Sequence, residues 1–353
     1  MTQPSPPGLN PVRLLRQALK ASQRCSLDLK DLTVLTEAAN GPYVITPIMA
    51  AIAGAKVFAI TRSTRYGSFQ EIQQATVKLA AVAGVSNRIE IFEALSKETI
   101  AQADIITNSG HLRPIDADMV AVMKATAVVP LMYEAWELRD SDVDVEACLR
   151  RGIGIAGTNE RHPAIDVFSF LGVMALKLLM EAGVPVYGSN IILLCDNPFA
   201  SFIENGLRRA GATVSTASQL AALRGDTEDV DAILVALRPR KEPVLNQADL
   251  HSIRCLFPGA VVARFWGDVN PVQLAAAGIP FWPAGDIVPG HMGILPSAIG
   301  PDAVIRLQCG GLKVGEVMAA AARRGHDPIE AAVISGFGQA LPVDSAYTCK
   351  SGI

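Results

Sequence analysis

Between residues 33 and 61 the chain reads TVLTEAANGPYVITPIMAAIAGAKVFAIT: a short apolar run, a turn at Asn40-Gly41-Pro42, an apolar stretch of helix length, and a second apolar run. Short runs that are apolar throughout, rather than alternating, predict strands buried on both faces, as in parallel sheets. The pattern recurs at 191–216, IILLCDNPFASFIENGLRRAGATVST. With the AGA of 53–55 laid over the AGA of 210–212, Asn40 falls on Asn197 without a gap.

The correspondence continues downstream. ADIITNSGHLRPIDADMVAVMKATAVVPLMYEAWE pairs with VDAILVALRPRKEPVLNQADLHSIRCLFPGAVVARFWGD, each predicting strand, loop, helix and strand. RRGIGIAGTNE and AAGIPFWPAGD then follow in the same order, and each copy ends in a long apolar helix pattern, one containing Lys177 and the other Lys313. An internal repeat of this kind sets the whole architecture. The predicted fold class is α/β, with two tandem Rossmann-like domains, each a doubly wound parallel sheet, related by an internal repeat and facing one interdomain cleft. The expected divisions are an N-terminal helical segment at 1–30, a candidate cofactor domain at 31–162, a crossing helix at 163–185, a candidate substrate domain at 186–290, and a returning helix with the C-terminal tail at 291–353.

Composition narrows the function classes. Half of the 353 residues are hydrophobic, 18% are charged and only 5% are aromatic, which suits close helix-on-sheet packing. A net charge of −3 argues against a nucleic-acid binder, since neutralising phosphates needs a basic surface. No run of 18 uncharged apolar residues occurs, so no membrane association is expected. The six cysteines, at 25, 148, 195, 255, 309 and 349, include no C-x-x-C pair. No metal site is expected from them, and the protein is expected to be cytoplasmic with reduced thiols.

Parallel strands put ligands at their carboxyl ends, so candidate chemistry is sought there. The first-strand loop of copy one offers Glu37, Asn40 and Gly41; the end of its second strand offers Thr61, Arg62, Ser63 and Arg65. Arginines beside hydroxyls at that point suit a 2′-phosphate, which favours NADP over NAD. In copy two the glycine loop is replaced by Cys195-Asp196-Asn197-Pro198-Phe199. Asp196 or Asn197 is expected to cap the following helix, and Phe199 to fill the space of a nucleotide. Of five histidines, His111 lies past a strand end, while His162 and His291 occupy matching places before the two long helices. A histidine can pass a proton at neutral pH. Glu160 and Asp286 stand near His162 and His291 as acid partners, with Glu134 and Glu137 as further options. Tyr133, Asn197, Arg264 and Trp266 are candidates for holding a substrate.

The pieces Ala103-Asp104-Ile105, Thr107-Asn108-Ser109-Gly110, Ile115, Met123-Lys124 and Ala127-Val128-Val129 resemble the cofactor domains of S-adenosylhomocysteine hydrolase, alanine dehydrogenase and the D-2-hydroxyacid (formate/glycerate) dehydrogenases. The resemblance covers roughly residues 31–155 and implies that Asn108, Ser109, Gly110 and the segment 132–134 lie along ribose and nicotinamide. The implied activity is that of an NADP-preferring oxidoreductase acting on a small oxo or hydroxy substrate. The glycine-rich loop of these families is degenerate in copy one and absent in copy two. LAAVAGVSNRIEIFEA is similar to a helix and strand of class I methyltransferases. The alternative is therefore a biosynthetic enzyme without nicotinamide, either S-adenosylmethionine-dependent or a cofactor-free lyase or cyclase. A third alternative is a non-catalytic ligand-binding protein. The glycine-bearing stretch QCGGLKVGEVMAAA is expected to suit a homodimer contact.

Overall fold

The computed structural model describes residues 6–64, 67–223 and 229–342. The chain divides into two compact units, one of residues up to Val167 together with those from Gly300 onward, the other of Phe168–Ile299.

The first unit begins with α1 (Pro11–Cys25), started by the side chain of Asn10 with proline at the first helical position. There follow β1 (Thr33–Glu37), α2 (Ile45–Ile52), β2 (Lys56–Ile60), α3 (Phe69–Ala83), β3 (Ile89–Phe92), α4 (Lys97–Ile100), β4 (Ile105–Ile106), α5 (Ala117–Val122), β5 (Val128–Pro130), α6 (Val145–Arg151) and β6 (Gly154–Thr158). Ser68 and Glu71 form a reciprocal capping box at the head of α3, and Gly84, at φ 71°, closes its end.

The second unit holds α7 (Leu171–Glu181), β7 (Asn190–Cys195), α8 (Phe199–Arg209), β8 (Thr213–Ala217), β9 (Ala232–Ala236), α9 (Gln247–Leu256), β10 (Val261–Trp266), α10 (Pro271–Ala276) and β11 (Phe281–Trp282). The chain then returns to the first unit with α11 (Asp302–Arg323), α12 (Pro328–Ile334) and β12 (Gly338–Gln339).

In the first unit seven strands lie in the order β12-β6-β5-β4-β1-β2-β3. All are parallel except β12, which runs antiparallel to β6. The second unit has a five-stranded parallel sheet, β11-β10-β9-β7-β8. Each sheet sets its first strand beside the second on one side and beside a later strand on the other, β4 in the first unit and β9 in the second. Strand order therefore reverses next to the first strand, where open α/β sheets form a crevice.

Two apolar layers cover the first sheet. Val34, Ile105 and Val128 face α1, α2 and α11 in one cluster, while Leu35, Ile106, Val129 and Leu131 form the other with α5 and α6. The helix pattern expected from residue 163 onward begins only at Leu171, because His162 and its neighbours form turns instead. α7 packs into the core of the second unit, where its Gly172 meets Gly206 of α8 so closely that a Cβ on Gly172 would stand 2.8 Å from the Gly206 Cα. In α11, Gly310, Gly311 and Gly315 press on Ile165, Met132 and Ile105. The face expected to meet a second copy is therefore buried inside its own unit. Among the described residues no helix is long and apolar enough to cross a membrane, and no cluster of metal-ligating side chains occurs.

Candidate functional site

The carboxyl ends of β1, β4, β5 and β6 deliver most of the candidate residues to one edge of the seven-stranded sheet. Beyond β5 the chain makes a single 3₁₀ turn, Ala135–Glu137. It fits because β6 carries Gly157, where a Cβ would stand 2.6 Å from the Ala135 Cα. The turn is closed reciprocally by two acids: the Glu134 backbone N–H donates to Glu137 Oε1 at 3.3 Å, and the Glu134 side chain accepts from the turn in return.

Glu134 is 3% exposed yet well partnered. Trp136 Nε1 donates to its Oε2 at 2.6 Å, Gln339 Nε2 to its Oε1 at 3.2 Å, and Arg161 Nε lies 3.6 Å from Oε1. Gln339 also accepts the Ala135 N–H at 3.0 Å, so β12 braces the turn from beside β6. Glu160, 8% exposed, enters from the end of β6. Loss of solvation, opposed by the Glu134 backbone N–H and reinforced by the charge of Glu134, pushes Glu137 up to about 7. Loss of solvation and then the charges of Glu137 and Glu134 hold Glu160 well above the usual carboxylate range. Glu137 and Glu160, each raised by lost solvation and by neighbouring carboxyl charge, form the kind of coupled pair that can trade a proton near neutral pH.

A second polar group lies where the sheet reverses, between β1 and β4. Leu35, Ile106 and Leu131 belong to one face of the sheet. Side chains alternate along strands, so Glu37, two residues further along β1, follows on that face, and Tyr133 packs against the same cluster. Glu37 Oε2 accepts the His111 N–H at 3.1 Å, and burial raises the pKa of this carboxyl. Tyr133 donates its hydroxyl to Asp142 Oδ2 at 2.6 Å, and Arg113 NH1 meets Asp142 Oδ1 at 3.3 Å. Burial, then the bond to Asp142, holds the Tyr133 phenol protonated far above its usual range. Burial lowers the pKa of His111, with the Arg62 charge acting the same way.

The other candidates have internal partners. Arg62 donates to the His111 carbonyl at 2.6 Å, and Ser63 accepts the Phe69 N–H at 3.0 Å. Arg65 lies outside the described residues. Asn40 packs against Gly67, and Gly41 adopts φ 63° in the turn that follows Asn40. Thr46 lies inside α2, which begins at Ile45, and donates inward to Tyr43 O and Gln308 Oε1. Ser109 bonds Thr107 Oγ1 at 2.8 Å, and Gly110 starts a 3₁₀ turn. His162 stacks on Phe337 at 4.0 Å and its Nδ1 accepts the Ala164 N–H at 3.2 Å, while burial lowers its pKa.

In the second unit Arg264 is 4% exposed and gives its donors to the carbonyls of Val269, Pro283 and Gly285. Trp266 donates to Gly290 O at 3.1 Å, and His291 follows in the same loop, its N–H on Val288 O at 2.9 Å. Asn197 Oδ1 accepts the Phe199 N–H at 3.0 Å while its Nδ2 donates to Ala236 O at 2.7 Å. Asp196 accepts from the Arg238 N–H and pairs with Arg240.

These contacts decide how well a dinucleotide fits. Its pyrophosphate needs free N–H groups at a helix start and a backbone it can approach. In the second unit the Phe199 N–H is taken by Asn197, the Asp196 carboxylate stands beside it, and Phe199 packs 5.2 Å from the Trp266 ring. In the first unit the corresponding loop carries the buried Glu37 and the part-buried ring of Tyr43. The second unit's helix start is thus satisfied from within the chain, while the first unit's is not capped by any side chain.

Sequence reasoning passed over Gln339, Arg113 and Asp142. Gln339 comes from a two-residue strand in what reads as a tail. Asp142 lies in the acidic run DSDVDVEA, which resembles a solvated face.

No protein-family model matches the sequence, and neither does any curated protein. Solved structures do resemble it. A dipicolinate synthase chain from Bacillus subtilis aligns at TM-score 0.53 with 12% identity, covering 85% of this chain and 100% of that one. Its counterpart from Bacillus halodurans aligns at TM-score 0.52 with 11% identity, covering 80% and 96%. An NAD-dependent formate dehydrogenase from Staphylococcus aureus, solved in complex with NAD, gives TM-score 0.46, 11% identity, and coverage of 80% and 93%. The likeness to the two synthase chains establishes the fold: two Rossmann-type parallel-sheet units.

Proposed function

We propose that this protein is an enzyme that moves a proton to or from a small oxo or hydroxy substrate, with Glu134, Glu137 and Glu160 as the proton-handling group. The observation that carries this reading is the clustering of three carboxyls, Glu134 and Glu160 buried and Glu137 part-buried, with Glu137 pushed up to about 7. A group poised there is populated in both protonation states at neutral pH, the condition for general acid–base work. Glu134 is held by Trp136, Gln339 and Arg161 and serves as the fixed charge, while Glu137 and Glu160 exchange the proton. His162, stacked on Phe337 in the turn after Glu160, shapes the chain there. The test is the pH profile of turnover on a panel of small oxo and hydroxy acids: wild type should show an ionisation near neutrality that Glu137→Gln abolishes.

A second reading, an NAD(P)-dependent oxidoreductase preferring NADP, draws support from the shared fold and from Arg62 at the end of β2. It requires a dinucleotide to bind at the first unit, since the second unit's loop is satisfied by Asn197. A thermal-shift panel of NADPH, NADH, S-adenosylmethionine and S-adenosylhomocysteine separates the readings, since a ligand bound to the native state adds stability by mass action. We place the protein in the cytoplasm, in keeping with the free thiols among its described cysteines. We also propose a homodimer, in keeping with the exposed Val173, Met180 and Tyr187. Light scattering tests the latter.

A further inference from the structure

Two cysteines from opposite ends of the chain meet inside the first unit. Cys25 ends α1 and Cys309 lies within α11; they are 2% and 0% exposed and belong to one apolar cluster. The two helices run side by side in the same direction, and their register is fixed on both sides of the pair. Arg13 and Gln17 of α1 both reach Asp302 at the start of α11. Past the cysteines, Lys313 Nζ donates to Ser26 O at 2.9 Å and the Asp28 N–H to Glu316 Oε2 at 2.8 Å. Cys25 lies eight residues beyond Gln17 and Cys309 seven beyond Asp302, about 12 and about 10.5 Å along the helices. The register therefore sets the two thiols level, and the Cys309 thiol donates to the Cys25 sulfur. That bond, opposed by burial and reinforced by the Arg24 and Lys313 charges, lowers the pKa of Cys25 and makes it the better nucleophile of the two.

The pair also touches the turn that carries Glu160. Cys25 Sγ donates to Ala164 O at 3.8 Å, and the neighbouring Arg24 donates to Pro163 O at 2.6 Å. Gly310, next to Cys309, presses on the same turn: a Cβ there would stand 2.6 Å from Ile165 Cδ1. The turn closes on Glu160 itself, whose carbonyl accepts the Val167 N–H at 2.9 Å. Drawing the sulfurs together to a bond of about 2.05 Å takes Cys25 from Ala164 and shifts the backbone packed on Ile165.

We propose that Cys25 and Cys309 form a redox switch, which a hydroperoxide closes to a disulfide that displaces the Glu160 turn and lowers turnover. The Cys25 sulfur attacks one oxygen of hydrogen peroxide; the S–O bond forms as the O–O bond breaks, and the other oxygen leaves with the Cys25 proton as water. The Cys309 sulfur then attacks the sulfenic acid at Cys25; the S–S bond forms, the S–O bond breaks, and a second water carries off the Cys309 proton. The two thiols lose two electrons and the peroxide gains them. Cys25 sits at a helix end between the exposed Arg24 and Ser26, where local opening admits a small peroxide. A thiol reductant reverses the closure by exchange. The disulfide stands apart from the proposed proton chemistry, and only its effect on turnover rests on that reading.

The whole protein, reduced and then treated with hydrogen peroxide, is alkylated, cut with trypsin and mapped by mass spectrometry. Residues 25–30 should appear joined to 307–313, and dithiothreitol should separate them. In the same samples turnover should fall by about fivefold or more and return with dithiothreitol, and the carboxyl NMR signal of Glu160 should differ between the two forms. Cys309→Ala should lose the cross-link and keep its turnover under peroxide; should that variant fail to fold, the map of the wild-type protein decides. Peroxide that oxidises the exposed Cys255 without joining Cys25 to Cys309 overturns the switch. So does a cross-linked protein whose Glu160 signal and turnover match the reduced form. A cross-link that moves the Glu160 signal while neither form turns over any acid of the panel upholds the switch and overturns the proposed function instead.

Discussion

Asn197 gives Phe199 what a bound phosphate would give it: its Oδ1 accepts the Phe199 N–H at 3.0 Å at the start of α8. The same carboxamide ties the loop to β9 through Ala236 O, so the helix start is satisfied from within the chain. A dinucleotide should therefore not bind through this loop, and Asn197→Ala should respond to NADPH or NADH in a thermal shift as wild type does. A shift in wild type that Asn197→Ala alters would show that this loop opens for a pyrophosphate, whereas an NADPH shift lost in Arg62→Ala would place the dinucleotide on the first unit instead.

The acid group also sets a pH dependence of stability. An acid whose pKa is higher in the folded protein stabilises it fully below the unfolded value, and this contribution is lost as pH rises through the folded value. For Glu137 the window runs from its ordinary value of 4.5 to about 7. One pKa unit is worth about 1.4 kcal/mol. Because the interaction is shared among three carboxyls, Glu137→Gln should gain about 1–2 kcal/mol over wild type at pH 8 and nothing at pH 4. Urea denaturation at the two pH values measures it, and a wild-type protein equally stable across the window would remove the premise.

Gly172→Ala should destabilise the second unit by about 1–3 kcal/mol, since overpacked contacts force backbone shifts. The Cβ would stand 2.8 Å from Gly206 Cα, backbone that has no rotamer to yield. Gly183→Ala, where no atom lies within 4 Å but φ is 82°, separates strain from crowding: it should cost less, and the comparison is read from chemical denaturation.

Much of the fold was legible because parallel strands buried on both faces are apolar throughout, and both units have them. The shared pairing of the first strand with the second, and with a later strand on its other side, accompanies the ungapped match of Asn40 with Asn197. The sites were legible only in part. Glu134, Glu137 and Glu160 stood out as acids at strand ends, but nothing local showed that they meet, since Glu137 and Glu160 lie 23 positions apart and the pairing of β5 with β6 brings them together. Gln339 reaches Glu134 through an antiparallel strand formed about two hundred residues later, a contact without any periodic signature. Arg264 looked like a substrate ligand because it stands at the matching strand end of copy two, yet its partners are the carbonyls of Val269, Pro283 and Gly285.

The most direct test of the proton-handling group is carbon-detected NMR of the glutamate carboxyls, assigned with Glu134→Gln, Glu137→Gln and Glu160→Gln and followed from pH 3 to pH 9. At least one of Glu137 and Glu160 should remain protonated past pH 6 and titrate near neutrality, and removing its neighbour's charge should lower that midpoint. If all three carboxyls ionise between pH 4 and pH 5, the group holds no proton at neutral pH and the proposed chemistry is contradicted.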